Sequence, residues 1–301
     1  MTKLQTMIKR TLYFGNPCYL SKKDNQLDIN LQDKKSKHIP IEDIGIIILD
    51  NPQITITNAL LRSLVENNVA VLTNDEQHLP LGLLLPLASH STYTEKLKHQ
   101  VNASLPLKKN LWQQTIKKKI QNQAAVLVKL GITTTKMDYW ASQVKSGDPD
   151  NYEARAAAYY WKTIFHTNFK RGRFGEPPNN ILNYGYAILR AIVARSLVAS
   201  GLLPAFGIFH RNKYNAFCLA DDIMEPYRPY VDLIVLNIMD MESFNGELTL
   251  ETKKMLLNIP ITDIFINGFN SPLMVGVQQT TASLMQCFEG TVKKITYPDL
   301  K

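Results

Sequence analysis

The feature that most constrains this chain is a change of hydrophobic period between residues 84 and 92, from alternation every second residue to helical spacing. Before the change, Leu27, Ile29 and Leu31 alternate with polar residues after the turn-like Lys22-Lys23-Asp24-Asn25, which predicts a hairpin and a half-buried strand. Ile46-Ile47-Ile48-Leu49, closed by Asp50-Asn51-Pro52, and Val69-Ala70-Val71-Leu72, closed by Thr73-Asn74-Asp75, predict two more strands. Asn58 to Glu66 between them reads as a short helix capped by Thr57 or Asn58. The strand signals stop near Pro86.

From about Ser91 onward the chain reads as helical. Leu111 to Leu130, Asp148 to Phe169 and Ile181 to Ser200 are long segments, the last stopped by Gly201 and Pro204. The expected fold is α+β, with a small β-rich N-terminal domain over residues 1–88 and an all-helical catalytic domain over 89–301. The run Lys117-Lys118-Lys119 is expected on an exposed helix face, and Trp161 in the core. The most apolar stretch, Ile181 to Leu203, carries Arg190 and Arg195. Two guanidinium groups in mid-span are costly in lipid, so a buried helix is expected there.

Charge narrows the partners. The balance of 34 Lys+Arg against 26 Asp+Glu gives +8 over 301 residues, which favours a polyanion without proving one. Cys18, Cys218 and Cys287 are far apart and form no CxxC pair, so they fit a reducing compartment and no zinc knuckle. Residues Met1 to Met7 hold no apolar core of signal-peptide type, and a cytoplasmic location is expected.

Three segments carry chemistry. In the first, Asp148-Pro149 predicts an N-cap with Pro at the first helical position. The inward stripe Ala156, Ala157, Tyr160, Trp161, Ile164 and Phe165 then reaches back four residues from Ala157 to Glu153. A carboxylate on an inward face needs a cation or strong donor opposite: a metal ion, or a buried arginine such as Arg190 or Arg195. In the second, apolar residues run up to His210 and a polar turn follows, placing the imidazole where buried structure meets a loop. That position suits a ligand, an acid/base group or a structural hydrogen-bonder. In the third, Asp222 and Glu225 are three apart and share a helical face, with Asp221 turned away. Two like charges so placed repel unless something positive lies between them, either a divalent ion or Arg228. Oxygen ligands with one imidazole suit Mg²⁺ or Mn²⁺, and on a basic protein they point to phosphodiester chemistry. No phosphate-binding loop or dinucleotide fingerprint is present.

Tyr152-Glu153-Ala154-Arg155-Ala156-Ala157, Gly207-Ile208-Phe209-His210 and the stretch from Leu219 to Asp232 closely resemble the CRISPR-associated integrase family, the metal-dependent endonuclease subunit of the spacer-acquisition complex. Tyr13-Phe14-Gly15 and Ile41 to Ile48 are similar to that family's β domain, and the compact length is similar to its type II branch. The resemblance implies Glu153, His210 and Glu225 as catalytic metal ligands, with Asp222 as an adjacent acidic contributor. Some family members carry Asp where this chain has Glu225. It also implies a homodimer, a small ferredoxin-like partner subunit, and joining of short double-stranded DNA fragments to CRISPR repeat DNA by 3′-hydroxyl attack. His210 as a ligand must be neutral, so activity should fall at acid pH. Lys162, Lys170, Arg171, Arg173, Arg211 and Lys213 are the expected DNA-backbone contacts, Gly172 allowing close approach. Two other functions compete: a branched-DNA repair nuclease, and a non-catalytic DNA-binding scaffold whose carboxylates only make ion pairs.

Overall fold

The computed structural model describes residues 9–31, 36–87, 92–165, 168–172 and 175–301. They form two compact units that divide between Ser91 and Thr92.

In the first unit, strands β1 (Arg10–Phe14), β2 (Tyr19–Lys23), β3 (Gln26–Asn30), β4 (Lys37–Pro40), β5 (Ile44–Leu49) and β6 (Thr55–Ile56) precede helix α1 (Asn58–Glu66). Strands β7 (Ala70–Asn74) and β8 (Pro80–Leu84) complete it. One four-stranded sheet has the order β1-β5-β7-β8 and the other β4-β3-β2-β6. β5 pairs in parallel with both β1 and β7, which explains why it reads as an unbroken apolar run, and Ile46, Ile47 and Ile48 are fully buried. The expected β2–β3 hairpin turns at Asp24 and Asn25, both with positive φ (47° and 58°), the backbone that a tight two-residue turn requires. Leu20, Leu27, Ile44, Ile47, Leu60, Leu64 and Val71 form the core between the sheets and α1. Thr57 caps α1 by accepting from the Leu60 amide at 3.3 Å.

The second unit contains α2 (Tyr93–Val101), α3 (Leu105–Lys129), α4 (Thr135–Gln143), α5 (Tyr152–Ile164) and α6 (Asn179–Ala199). After them come α7 (Cys218–Met224), a 3-10 turn (Glu225–Tyr227), α8 (Arg228–Met239) and α9 (Leu250–Leu256). α6 is long and apolar enough to span a bilayer, yet 83% of its most apolar window is buried, as a core helix requires. It packs on α7, α8 and the final helix, and ends at Gly201, whose φ of +81° lets the Leu202 amide return to Leu197 O at 2.9 Å.

The unit is not all helical, contrary to expectation. β9 (Asp263–Ile266) and β10 (Phe269–Pro272) form an antiparallel hairpin before α10 (Leu273–Glu289). Its turn is Asn267-Gly268, with φ of 53° and 84°, a hairpin signal legible in the sequence but masked by the helices around it. Ile264 and Ile266 press on Gly276 of α10, where a Cβ would stand 2.2 Å from Ile264 Cδ1.

Candidate active site

α3 is the floor of the site, packing against α4, α5, α8 and the Glu225–Tyr227 turn. Its residues Trp112, Thr115, Ile116, Lys119 and Gln123 are buried while Lys117 is exposed. The lysine run is therefore not one solvated face: Lys119 follows Thr115 and Ile116 on the helical repeat and turns inward with them. One turn further on, the Asn122 amide donates to Pro226 O at 2.7 Å and to Pro298 O at 3.2 Å, fixing the turn that carries Glu225.

Glu153 opens α5, but the local geometry differs from a Pro-started helix. Asp148 and Asn151 both have positive φ (49° and 52°), so residues 148–151 form a turn and the helix starts at Tyr152. Asp148 still does the capping: its carboxylate accepts from the Tyr152 amide at 3.0 Å and the Glu153 amide at 2.9 Å. α5 ends at Ile164, before the expected Phe169, and Trp161 is half-buried against Phe165 and Phe169.

The cation opposite Glu153 is neither Arg190 nor Arg195. The Lys119 ammonium donates to Glu153 Oε1 and lies 2.7 Å from Glu225 Oε2. Arg228 Nε stands 2.9 Å from the other Glu225 oxygen, Oε1. Burial pulls the Lys119 pKa down, but Glu225 and Glu153 outweigh it and hold the ammonium above its ordinary range. Burial likewise pushes Glu225 up, and Arg228 and Lys119 together bring it below the ordinary carboxylate value. Arg190 is occupied elsewhere, at 2.7 Å from Asp221.

His210 is positioned by a different carboxylate. Its Nδ1 is 2.5 Å from Oδ1 of the fully buried Asp222 side chain, while Asp222 Oδ2 accepts from the Phe209 amide at 2.9 Å. An acceptor at Nδ1 holds the proton there and leaves Nε2 as the free lone pair. The hydrogen bond that His210 donates to Asp222 raises the His210 pKa against the opposing effect of burial, and the charge of Glu225 adds to it. Gly207 is required by close approach, since a Cβ would meet His210 O at 2.5 Å and Asp222 Oδ2 at 2.8 Å. Buried Gln100 of α2 holds the same loop, donating to Leu203 O at 2.9 Å and Phe206 O at 3.1 Å. Phe209 stacks on Trp112 of α3 with centroids 4.2 Å apart.

Behind the site, Tyr160 of α5 and Tyr186 of α6 donate to Asp232 of α8 at 2.9 and 2.5 Å. Burial lifts Asp232 to a pKa of about 6 even against those two donors. Arg171 and Arg228 lie over the Tyr186 ring, 5.1 and 4.6 Å from its centroid.

The structure thus gathers Glu153 and Glu225 on Lys119 and ties His210 to Asp222. Among the described residues, no three His, Cys, Asp or Glu side chains converge at metal-ligand spacing. The donor set nonetheless fits a divalent ion. Buried Glu225 Oε2 accepts no aligned hydrogen bond although the ammonium is close, so one oxygen lone pair is held by charge alone. Of the expected DNA contacts, Lys162, Lys170, Arg211 and Lys213 are exposed. Arg211 and Lys213 line a pocket of about 580 Å³ beside His210, together with Lys108. Arg171 is spent inside the protein: it donates to Gly172 O, Asn179 Oδ1 and Asn183 Oδ1 at 2.9, 3.0 and 2.7 Å. Arg173 lies outside the described residues.

Comparison with known proteins identifies the family. The family described as CRISPR associated protein Cas1 matches residues 12–271. The CRISPR-associated endonuclease Cas1 of Neisseria meningitidis serogroup C (strain 8013) is 43% identical, over 98% of this chain and 97% of that protein. Among solved structures, a casposase bound to integration product superposes with a TM-score of 0.80 at 21% identity, covering 95% of this chain and 92% of that one. A chain of a Cas6-RT-Cas1–Cas2 complex gives 0.75 at 19% identity, covering all of this chain (100%) and 37% of that longer one. At such identities the structural likenesses speak for the fold. Matched by the family over most of its length and by a close relative almost end to end, this chain belongs to the Cas1 family.

Proposed function

We propose that this chain is a divalent-metal-dependent DNA endonuclease and integrase that inserts short duplex fragments into a CRISPR array. In the reaction the 3′-hydroxyl oxygen of a fragment bonds to phosphorus at the repeat edge, the existing phosphorus–oxygen bond breaks, and the repeat strand leaves with a new 3′-hydroxyl. One observation carries the site assignment: Glu153 and Glu225 face a single cation position while His210 presents Nε2, its Nδ1 held by buried Asp222. Glu153, Glu225 Oε2 and His210 Nε2 are the ligands in this reading. Asp222 is not a ligand but orients the imidazole, because its oxygens are taken by His210 and the Phe209 amide. Mg²⁺ or Mn²⁺ held there supplies Lewis-acid stabilisation of charge on the phosphate oxygens. Arg211, Lys213 and Lys108, which line the neighbouring pocket, hold phosphates in this reading. The solved Cas6-RT-Cas1–Cas2 complex supports work in an assembly with a partner subunit; in this reading the partner is small and ferredoxin-like and the chain acts as a homodimer. Three buried free thiols fit a cytoplasmic setting.

The test is a supercoiled plasmid carrying a CRISPR repeat, incubated with short duplexes, Mn²⁺ and the partner subunit. Joined products are expected from 3′-hydroxyl ends and none from dideoxy ends. Absence of joining with all components present sinks the integrase reading, and nicking of branched DNA without joining favours a repair nuclease.

Asp222→Asn tests the orienting role. The variant should bind Mn²⁺ about 10–100-fold more weakly. Protonated His210 cannot ligate, so Mn²⁺ binding is lost as pH falls through its pKa, which Asp222 raises above the ordinary value. Removing that charge lowers the pKa, so the acid loss moves to lower pH. An Mn²⁺ titration at several pH values with an unmoved midpoint and unchanged affinity would reject the assignment.

A further inference from the structure

We infer that Lys119 is a tethered counter-cation that competes with the divalent ion for Glu153 and Glu225 and so sets how tightly the site loads. The inference rests on the reading of these glutamates as ligands. Lys119 is buried on the inward face of α3 (7% exposed), so its stem is held and its ammonium cannot wander into solvent. It reaches both glutamates at once, one from α5 and one from the turn before α8. Arg228 already holds Glu225 Oε1 at 2.9 Å, which leaves Oε2 as the oxygen open to another cation, and that is the oxygen Lys119 faces at 2.7 Å. The ammonium donates to Glu153 Oε1 and lies against Glu225 Oε2 as a counter-charge, so it occupies the carboxylate oxygens that a metal would need. A divalent ion held by both glutamates would therefore have to displace Lys119 from at least one. Without Lys119 the half-buried Glu153 and the buried Glu225 confront each other with less compensation, and repulsion opens the site. Lys119 thus keeps the ligands assembled at low metal and weakens loading by the same contact.

The experiment titrates Mn²⁺ by electron paramagnetic resonance into the intact wild-type chain, Lys119→Met and Glu153→Gln, without DNA. Melting temperatures are read in parallel in chelator and in Mn²⁺. Lys119→Met should bind Mn²⁺ about tenfold more tightly, a coupling in the usual range between two ligands of one protein. It should melt lower than wild type in chelator and recover in Mn²⁺. Equal or weaker Mn²⁺ binding by Lys119→Met overturns the inference while leaving the ligand reading intact. Equal binding by wild type and Glu153→Gln overturns the ligand reading, and the inference with it. If Lys119→Met does not fold, wild-type crystals soaked in Mn²⁺ decide. The ammonium should have left at least one glutamate, and a bound ion with Lys119 still on both contradicts the competition.

Discussion

Glu153→Gln is expected to lower strand transfer by about 10³-fold, on the order of 4 kcal/mol of transition-state stabilisation. The substitution keeps size and hydrogen-bonding reach but removes the charge that a divalent ion needs. Its effect on folding should be small, for three reasons. The Glu153 side chain is 30% exposed, the start of α5 is held by Asp148 acting on backbone amides, and Lys119 retains Glu225. The pairing of lost chemistry with a retained melting temperature separates a ligand from a structural carboxylate. Gel-resolved joining and nicking assays read the first and calorimetry the second. Strand transfer within tenfold of wild type would place the metal elsewhere.

Glu225→Gln should behave differently. Its side chain is 8% exposed and faces two cations, Lys119 at 2.7 Å and Arg228 at 2.9 Å. Breaking a buried ion pair on one side leaves the partners with uncompensated charge, which costs roughly 3 kcal/mol of stability. Arg228 suffers most, because Lys119 keeps Glu153 whereas Arg228 is left chiefly over the Tyr186 ring. Urea unfolding should show the loss together with a fall in strand transfer. A midpoint within error of wild type would mean that solvent or rearrangement compensates Arg228, and that Glu225 is a ligand only. The two glutamates thus share a proposed role in the chemistry but differ in their weight in the fold, a difference set by burial.

Much of this was legible in the residues, and where it was not the causes are physical. The parallel strand at Ile44–Leu49 and the hairpin at Asp24-Asn25 announce themselves, because burial on a parallel sheet and positive φ each demand particular side chains. The Asn267-Gly268 hairpin carries the same signal, but its strands are four residues each and sit among helices. Helical spacing turned Glu153 inward, and the spacing of Asp222 and Glu225 predicted one shared face. The structure separates them: Asp222 serves His210, and Glu225 serves Lys119 and Arg228. Spacing within a helix reports direction, not the partner across the interface, so this division had no local signature. Lys119 was hidden by its neighbours, since three consecutive lysines read as a solvated face. The clue lay in Trp112, Thr115 and Ile116, whose helical repeat continues to position 119. Arg171 shows the converse. A basic, glycine-flanked loop reads as a phosphate contact, yet its guanidinium is held by Asn179 and Asn183.

Anomalous diffraction from crystals loaded with Mn²⁺ tests the central claim most directly. The expected result is a peak about 2.1–2.3 Å from a Glu153 carboxylate oxygen, Glu225 Oε2 and His210 Nε2, with Asp222 still bound to His210 Nδ1. A peak coordinated by Asp222, or one that leaves Glu153 and Glu225 without metal, contradicts the account.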